Sequence, residues 1–273
     1  MARAAVPGRL SPRPRPWTIA TVKETTEETA TARTLTLDVP GWPGHQPGQH
    51  VTVRLTAEDG YSAQRDYSIA SAPEPPVFDE LASSTTAGSS HMSALLRITV
   101  QRLDDGEVSA YLTDIAEPGD QIELRGPIGG WFTWPPSDPR PLLLVAGGSG
   151  VVPLMSMIRT HAQVKSRVPV RLIYSARTPA DVIYAEELSE RERDSPLTVT
   201  HLYTRWWPGD PPAGAYTGRI DSEVVARAAF PPEWNPLIFV CGPSAFVEAA
   251  SALLIAAGHP PFTIKTERFG SAG

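Results

Sequence analysis

The sequence predicts two joined units: a β unit, barrel or sandwich, followed by an α/β unit with a doubly wound parallel sheet. Three observations carry that expectation. Residues 17–136 hold short β-branched or alternating segments separated by turn clusters. Past Pro135-Pro136-Ser137-Asp138-Pro139 the pattern becomes strand, helix, strand, helix. Residues 142–157, LLLVAGGSGVVPLMSM, read as a buried strand, a glycine turn and a helix. The expected division is a tail over 1–16, the β unit over 17–137 and the α/β unit over 138–273.

In chain order, the Arg- and Pro-rich start (RLSPRPRP) reads as an extended tail. Strand-like segments follow at 17–23, 34–39, 50–55, 96–102 and 121–124, with turns at PGWPGHQPG, EDG, DDG and EPGD. Residues 79–93, DELASSTTAGSSHMS, read as a flexible polar insertion between two strands. In the second unit, strands at 142–145, 170–174, 197–203 and 237–241 lead to helices near 153–162, 180–190, 222–229 and 244–257. A last short strand is expected at 262–266.

Composition narrows the function. The 273 residues are 41% hydrophobic and 20% charged, which suits packed cores. A net charge of −6 argues against a nucleic-acid binder, which carries a basic face, but leaves room for a local basic pocket. The single cysteine, Cys241, excludes an internal disulfide, a four-cysteine iron–sulfur cluster and a cysteine-rich zinc site within these residues, and no metal is expected. No apolar run approaches the ~20 residues of a spanning helix. The N-terminus has no secretory h-region, so a cytoplasmic protein is the expected class.

Two stretches carry chemistry. Gly148, Ser149 and Gly150, with Pro153 just inside the following helix, form the glycine turn. Glycines let a backbone approach a pyrophosphate, and a helix N-terminus offers free N–H groups. The spacing differs from the usual G-x-G-x-x-G. In Arg65-Asp66-Tyr67-Ser68 an Arg can clamp a phosphate, a Tyr offers a flat face to a ring system, and a Ser hydroxyl can bond a ring nitrogen. Strand alternation puts Arg65 and Tyr67 on one face and Ser68 on the other. Alone, each has an ordinary reading, as does Cys241, a small core hydrophobe at a strand end.

Six segments in order resemble the ferredoxin–NADP reductase superfamily: Pro47-Gly48-Gln49, the RDYSIAS run from Arg65, Gly106-Glu107-Val108-Ser109, Gly126-Pro127-Ile128-Gly129, the turn over 144–153, and Cys241-Gly242-Pro243. The resemblance spans about residues 17–270 and implies an antiparallel β-barrel flavin unit ahead of the nucleotide unit. It implies that Arg65 binds the flavin pyrophosphate, Tyr67 packs on the isoalloxazine and Ser68 bonds near its N5. The strand ITVQR, with Val100 at its centre, is similar to the one whose backbone meets the flavin. Gly106, Val108 and Ser109 would cover the phosphates with backbone N–H groups, which implies FAD. Gly242 and Pro243 follow Cys241, whose sulfur would sit beside the nicotinamide C4. Phe269 fits the C-terminal aromatic that stacks on the flavin, although this chain runs on to Gly273 where some members end. Glu267 fits the carboxylate that some members place near the cysteine and serine.

Nucleotide choice is read at strand ends. Ser175 and Arg177 end the second α/β strand, where an acid would favour NADH and Arg with Ser favour a 2′-phosphate. Arg205 ends the next strand and adds a cation. NADPH is therefore expected ahead of NADH. The implied function is an FAD-dependent NAD(P)H reductase that passes electrons singly to a separate carrier, a ferredoxin or an iron–sulfur or haem oxygenase component. A stand-alone flavin or quinone reductase (diaphorase) and a catalytically silent flavin-binding subunit stay open, with Cys241 and the glycine turn speaking against the latter.

Overall fold

The structure is a computed structural model that describes residues 16–57, 59–73, 77–78, 92–205 and 215–269. The predicted tail, except Pro16, and residues 79–91 of the predicted insertion lie outside the described residues. Met92 and Ser93, assigned to that insertion, already belong to a strand.

The first sheet holds seven strands: β1 (Thr18–Thr29), β2 (Ala32–Pro40), β3 (His50–Thr56), β4 (Ser62–Ser68), β5 (Val77–Phe78), β6 (Met92–Gln101) and β7 (Gln121–Ile128). Their order is β4-β3-β7-β1-β2-β6-β5, with antiparallel neighbours throughout. A bridge from Ile69, just past β4, to Ile98 of β6 joins the far ends and closes the sheet into a barrel. Alternation along the strands fills it: Leu35, Leu37, Val51, Val53, Ile98, Val100, Ile122 and Leu124 are all buried in one cluster. The segment after Gly106, read from sequence as a loop, is helical. It runs as α1 (Glu107–Ala110) and continues in a π-type turn over Tyr111–Ile115.

The second sheet is parallel: β8 (Leu142–Gly147), β9 (Val170–Ala176), β10 (Leu197–Tyr203), β11 (Tyr216–Thr217), β12 (Leu237–Pro243) and β13 (Ile264–Phe269). Its order is β11-β10-β9-β8-β12-β13. The chain moves outward from β8 to β11, then returns to the other side of β8. That reversal makes β8 and β12 the topological switch point, where ligands enter above the strand C-termini. Helices α2 (Val151–Gln163) and α3 (Ala185–Asp194) cover one face, and α4 (Ser222–Ala228) and α5 (Ser244–Ala256) the other. Among the described residues no helix is long and apolar enough to cross a membrane.

Two expected elements shift for local reasons. The last strand starts at Ile264 because Pro261–Thr263 forms a 3-10 turn. Helix α3 starts at Ala185 because Pro179–Asp181 is a separate 3-10 turn, closed by a Thr178–Asp181 capping box. Helix α2 also differs from a surface helix. Every residue from Val151 to His161 is buried, since the sheet covers one side and the barrel the other. Its polar groups are spent on the barrel: Ser156 Oγ donates to Ser71 O at 2.7 Å and Arg159 Nη1 to Ala70 O at 2.8 Å. Thus the helix that begins at the glycine turn is bolted to the residues directly after Arg65–Ser68.

Candidate active site

A cleft of ≈ 1260 Å³ runs between the barrel and the C-terminal edge of the parallel sheet. Its barrel wall carries Arg65, Tyr67, Ser68, Gly106 and Ser109, and its other wall carries Gly148, Ser149, Ser175, Arg177, Arg205, Pro243, Glu267 and Phe269. These side chains come from residues as far as 204 positions apart in sequence (269 − 65), and the fold alone brings them together. The volume exceeds the ~300–1,000 Å³ of a site for one drug-sized ligand.

The cleft wall is cationic although the chain is acidic. Six arginines line it (Arg65, Arg102, Arg177, Arg205, Arg219 and Arg268) against two carboxylates, Asp66 and Glu267. Low-dielectric walls of one sign focus potential and attract anions. The glycine turn shows why its residues are small. A Cβ on Gly150 would lie 2.1 Å from Cys241 O and 2.5 Å from Cys241 C, so the β8 and β12 turns touch backbone to backbone. Gly148 instead has φ +55 on the cleft wall, and the nearest atom to a Cβ there is Gln101 Oε1 at 3.9 Å. One glycine closes the switch point; its neighbour leaves an open cradle over it. Across the cleft, Ser109 Oγ accepts from Leu103 N at 3.1 Å and donates to Gly106 O at 3.0 Å. That fixes the loop leading into α1.

These features match two families by sequence. The oxidoreductase FAD-binding domain matches residues 19–133, and the oxidoreductase NAD-binding domain matches residues 144–252. The chain belongs to the ferredoxin–NADP reductase superfamily.

Relatives in this superfamily include a glycine betaine monooxygenase reductase subunit of Chromohalobacter salexigens, 31% identical over 83% of this chain and 56% of the relative. The ferredoxin reductase component of a 3-ketosteroid-9-alpha-monooxygenase of Mycolicibacterium smegmatis is 34% identical, over 92% of this chain and 65% of the relative. This chain therefore spans between 56% and 65% of the length of those two relatives. In fold it is similar to the FAD/NAD-binding domain of a nitric oxide dioxygenase from Vibrio cholerae, with TM-score 0.78 and 23% identity, covering 93% of this chain and 99% of that one. The barrel is thus the FAD half and the parallel sheet the nicotinamide-nucleotide half.

The residues present fit an FAD. On the barrel wall the Arg65 guanidinium and the Gly106–Ser109 turn supply a cation and backbone donors, and the open Gly148 cradle faces them from the nucleotide half. Val100 and Val108, singled out from the sequence for their backbone, pack their side chains in the barrel core, while Thr99 and Gln101, on the other face of β6, line the cleft. Gly150 packs on the Cys241 and Gly242 backbone, and Gly242 on Phe246 and Gly147. Cys241 is fully buried in the sheet's apolar cluster and is not on the wall. Burial, with Glu267 adding to it, pushes its thiol well above the ordinary range. Cys241 stands at the C-terminal end of β12, beside Ala146 of β8 and Glu267 of β13 in register.

Sequence reasoning missed His50, which stands opposite Ser68 in the β3–β4 register and lines the cleft. Its place directly after Pro47-Gly48-Gln49 and the hairpin pairing were the available signal. His50 Nδ1 lies 4.0 Å from Glu267 Oε1. The distance suits an ion pair, but the environment favours two neutral groups. Burial lowers the His50 pKa, and burial with nearby Asp66 raises that of Glu267 from 4.5 to about 7. Between those two values the folded protein binds more protons at Glu267 than the unfolded chain, so this group makes stability fall as pH rises from about 4.5 to 7. Glu267→Gln removes that cost. The variant should melt higher than wild type above pH 7, with the gap shrinking as pH falls toward 4.5. Melting curves across that range check it; a gap that is constant or widens at low pH would refute the assignment.

Arg219 was also missed. It follows β11, two residues past the strand, and joins Arg177 and Arg205 on the wall. Short β11 carries little periodic signal, and only the sheet order shows that its end lies beside those of β9 and β10.

Proposed function

We propose that this chain is an FAD-containing NAD(P)H reductase that takes electrons from NADPH and delivers them singly to a separate carrier. The carrier would be a ferredoxin or an iron–sulfur or haem oxygenase component. The observation that carries the reading is the single cleft shared by the Arg65–Ser68 strand and the glycine turn at the switch point. The names of the relatives, reductase subunits or components of monooxygenases, support the class of partner.

Bound FAD supplies the chemistry that joins a two-electron donor to one-electron acceptors. The chain's own residues orient and hold. Arg65, exposed and donating to Gln64 O, would clamp the pyrophosphate. Tyr67, half-buried on the wall, would present its ring to the isoalloxazine. Ser68 and Glu267 would hold or release a proton near the reacting edge, with His50 beside them. Phe269, opposite Pro243 in the β12–β13 register, would cover the site where the nicotinamide enters. Arg177, Arg205 and Ser175 would read a 2′-phosphate. Cys241, at the end of β12, would place its sulfur beside the nicotinamide C4 and help position it.

Turnover with a panel of acceptors tests the reading. NADPH-driven reduction of a ferredoxin or of a haem protein, faster than that of free flavin or quinone, is the expected result. Efficient reduction of free flavin or quinone alone would favour the diaphorase reading instead.

A further inference from the structure

Four polar residues at the junction of the two halves, Glu28, Thr34, Thr99 and Tyr184, close into a ring. Tyr184 N–H donates to Glu28 Oε2 at 3.2 Å, and Thr34 Oγ1 donates to Glu28 Oε1 at 2.6 Å. The Thr34 and Thr99 hydroxyls lie 2.7 Å apart, and Thr99 Oγ1 meets the Tyr184 hydroxyl. Counting protons gives the direction of each bond. A carboxylate only accepts, so Thr34 gives its one proton to Glu28. Thr99 must then donate to Thr34, and Tyr184 to Thr99. Burial keeps that proton in place, with the Tyr184 hydroxyl pushed up to about 12.

Two features separate this ring from ordinary packing. Tyr184 has φ 62 and ψ 30, a left-handed backbone that bulky residues rarely adopt. Such a conformation persists only where its surroundings over-determine it. Here the side chain is held from both sides: the Arg159 guanidinium lies 4.8 Å over the ring, and Thr99 takes the hydroxyl. Secondly, Thr99 is itself on the cleft wall, beside Gln101. The ring therefore runs from the N-cap of α3, in the nucleotide half, to the floor of the flavin half.

We propose that Tyr184 is a positioning residue for hydride transfer: through its hydroxyl on Thr99 it sets the separation of the two cleft walls. The inference rests on the reductase reading above. Reacting atoms must stand about 3–3.5 Å apart, and a misplacement near 1 Å costs on the order of 100-fold in rate. Donor and acceptor here would be held by different sheets, so the gap depends on what ties the sheets together.

Tyr184→Phe keeps the ring under Arg159 and loses only the hydroxyl. In the FAD-loaded chain, the limiting anaerobic rate of flavin reduction should fall about tenfold or more. FAD stoichiometry and the half-saturating nucleotide concentration should stay near wild type, with the melting temperature lower by only the few degrees that one hydrogen bond gives. Thr99→Val should show the same loss, and the double variant should be no slower than either single one. In the flavin-free protein, amide exchange over 94–101 and 185–194 should quicken about fivefold in Tyr184→Phe, the size of one lost hydrogen bond. An unchanged limiting rate overturns the proposal. A rate loss matched by loss of FAD or by weaker nucleotide binding in both variants also overturns it, since the ring would then be a stability element. Wild type that neither nucleotide reduces would instead sink the reductase reading, before any variant is made.

Discussion

Gly150→Ala should cost the chain its nucleotide site and much of its stability. The backbone at Gly150 (φ −60, ψ −12) accepts alanine, so the effect isolates space from conformation. The new Cβ would stand 2.1 Å from Cys241 O and 2.8 Å from Gly242 N. Both are backbone atoms of an interior strand and cannot rotate away. The β8 turn and the β12 turn must separate, which pulls Gly148 and Ser149 away from Pro243 within the one cleft wall they share. Overpacking of this kind costs about 1–3 kcal/mol or more. For a domain of this size that lowers Tm by roughly 2–4 °C per kcal/mol. Thermal melting with a nucleotide titration checks both parts. A variant that melts with wild type and binds nucleotide equally would show that the two turns do not touch as described.

The second large effect concerns the choice of nucleotide. The Arg177 and Arg205 backbones are bonded, Arg205 N to Arg177 O at 3.0 Å, so the two strand ends present their side chains side by side. Arg219 adds a third guanidinium from the next strand outward. A 2′-phosphate paired with such a group gains about 1.5–3 kcal/mol per charged hydrogen bond. NADPH should exceed NADH in kcat/KM by about tenfold or more, the factor that ~1.4 kcal/mol gives. Arg177→Ala should remove most of that preference and leave NADH kinetics nearly intact, since NADH lacks the phosphate. Equal efficiency with both nucleotides, or a preference for NADH, would leave the three arginines as solvated surface groups.

Much of this was legible in the sequence because it is local. The all-buried run 142–147, its glycines and the β-branched barrel segments follow from short-range pattern, and the structure puts them where pattern implies. What was not legible depends on pairing. His50 becomes a site residue only through its register with Ser68, and Arg219 only through the sheet order. Tyr184 carries no sequence mark of its left-handed backbone; its partners Glu28 and Thr99 lie 156 and 85 residues away.

The central claim is that one cleft brings a nicotinamide nucleotide against FAD. Anaerobic mixing of the FAD-loaded protein with NADPH, and separately with NADH, while following the flavin absorbance, tests it most directly. The bound flavin should bleach fully within one turnover, faster with NADPH. Protein that retains FAD yet keeps its oxidised spectrum with either nucleotide would contradict it.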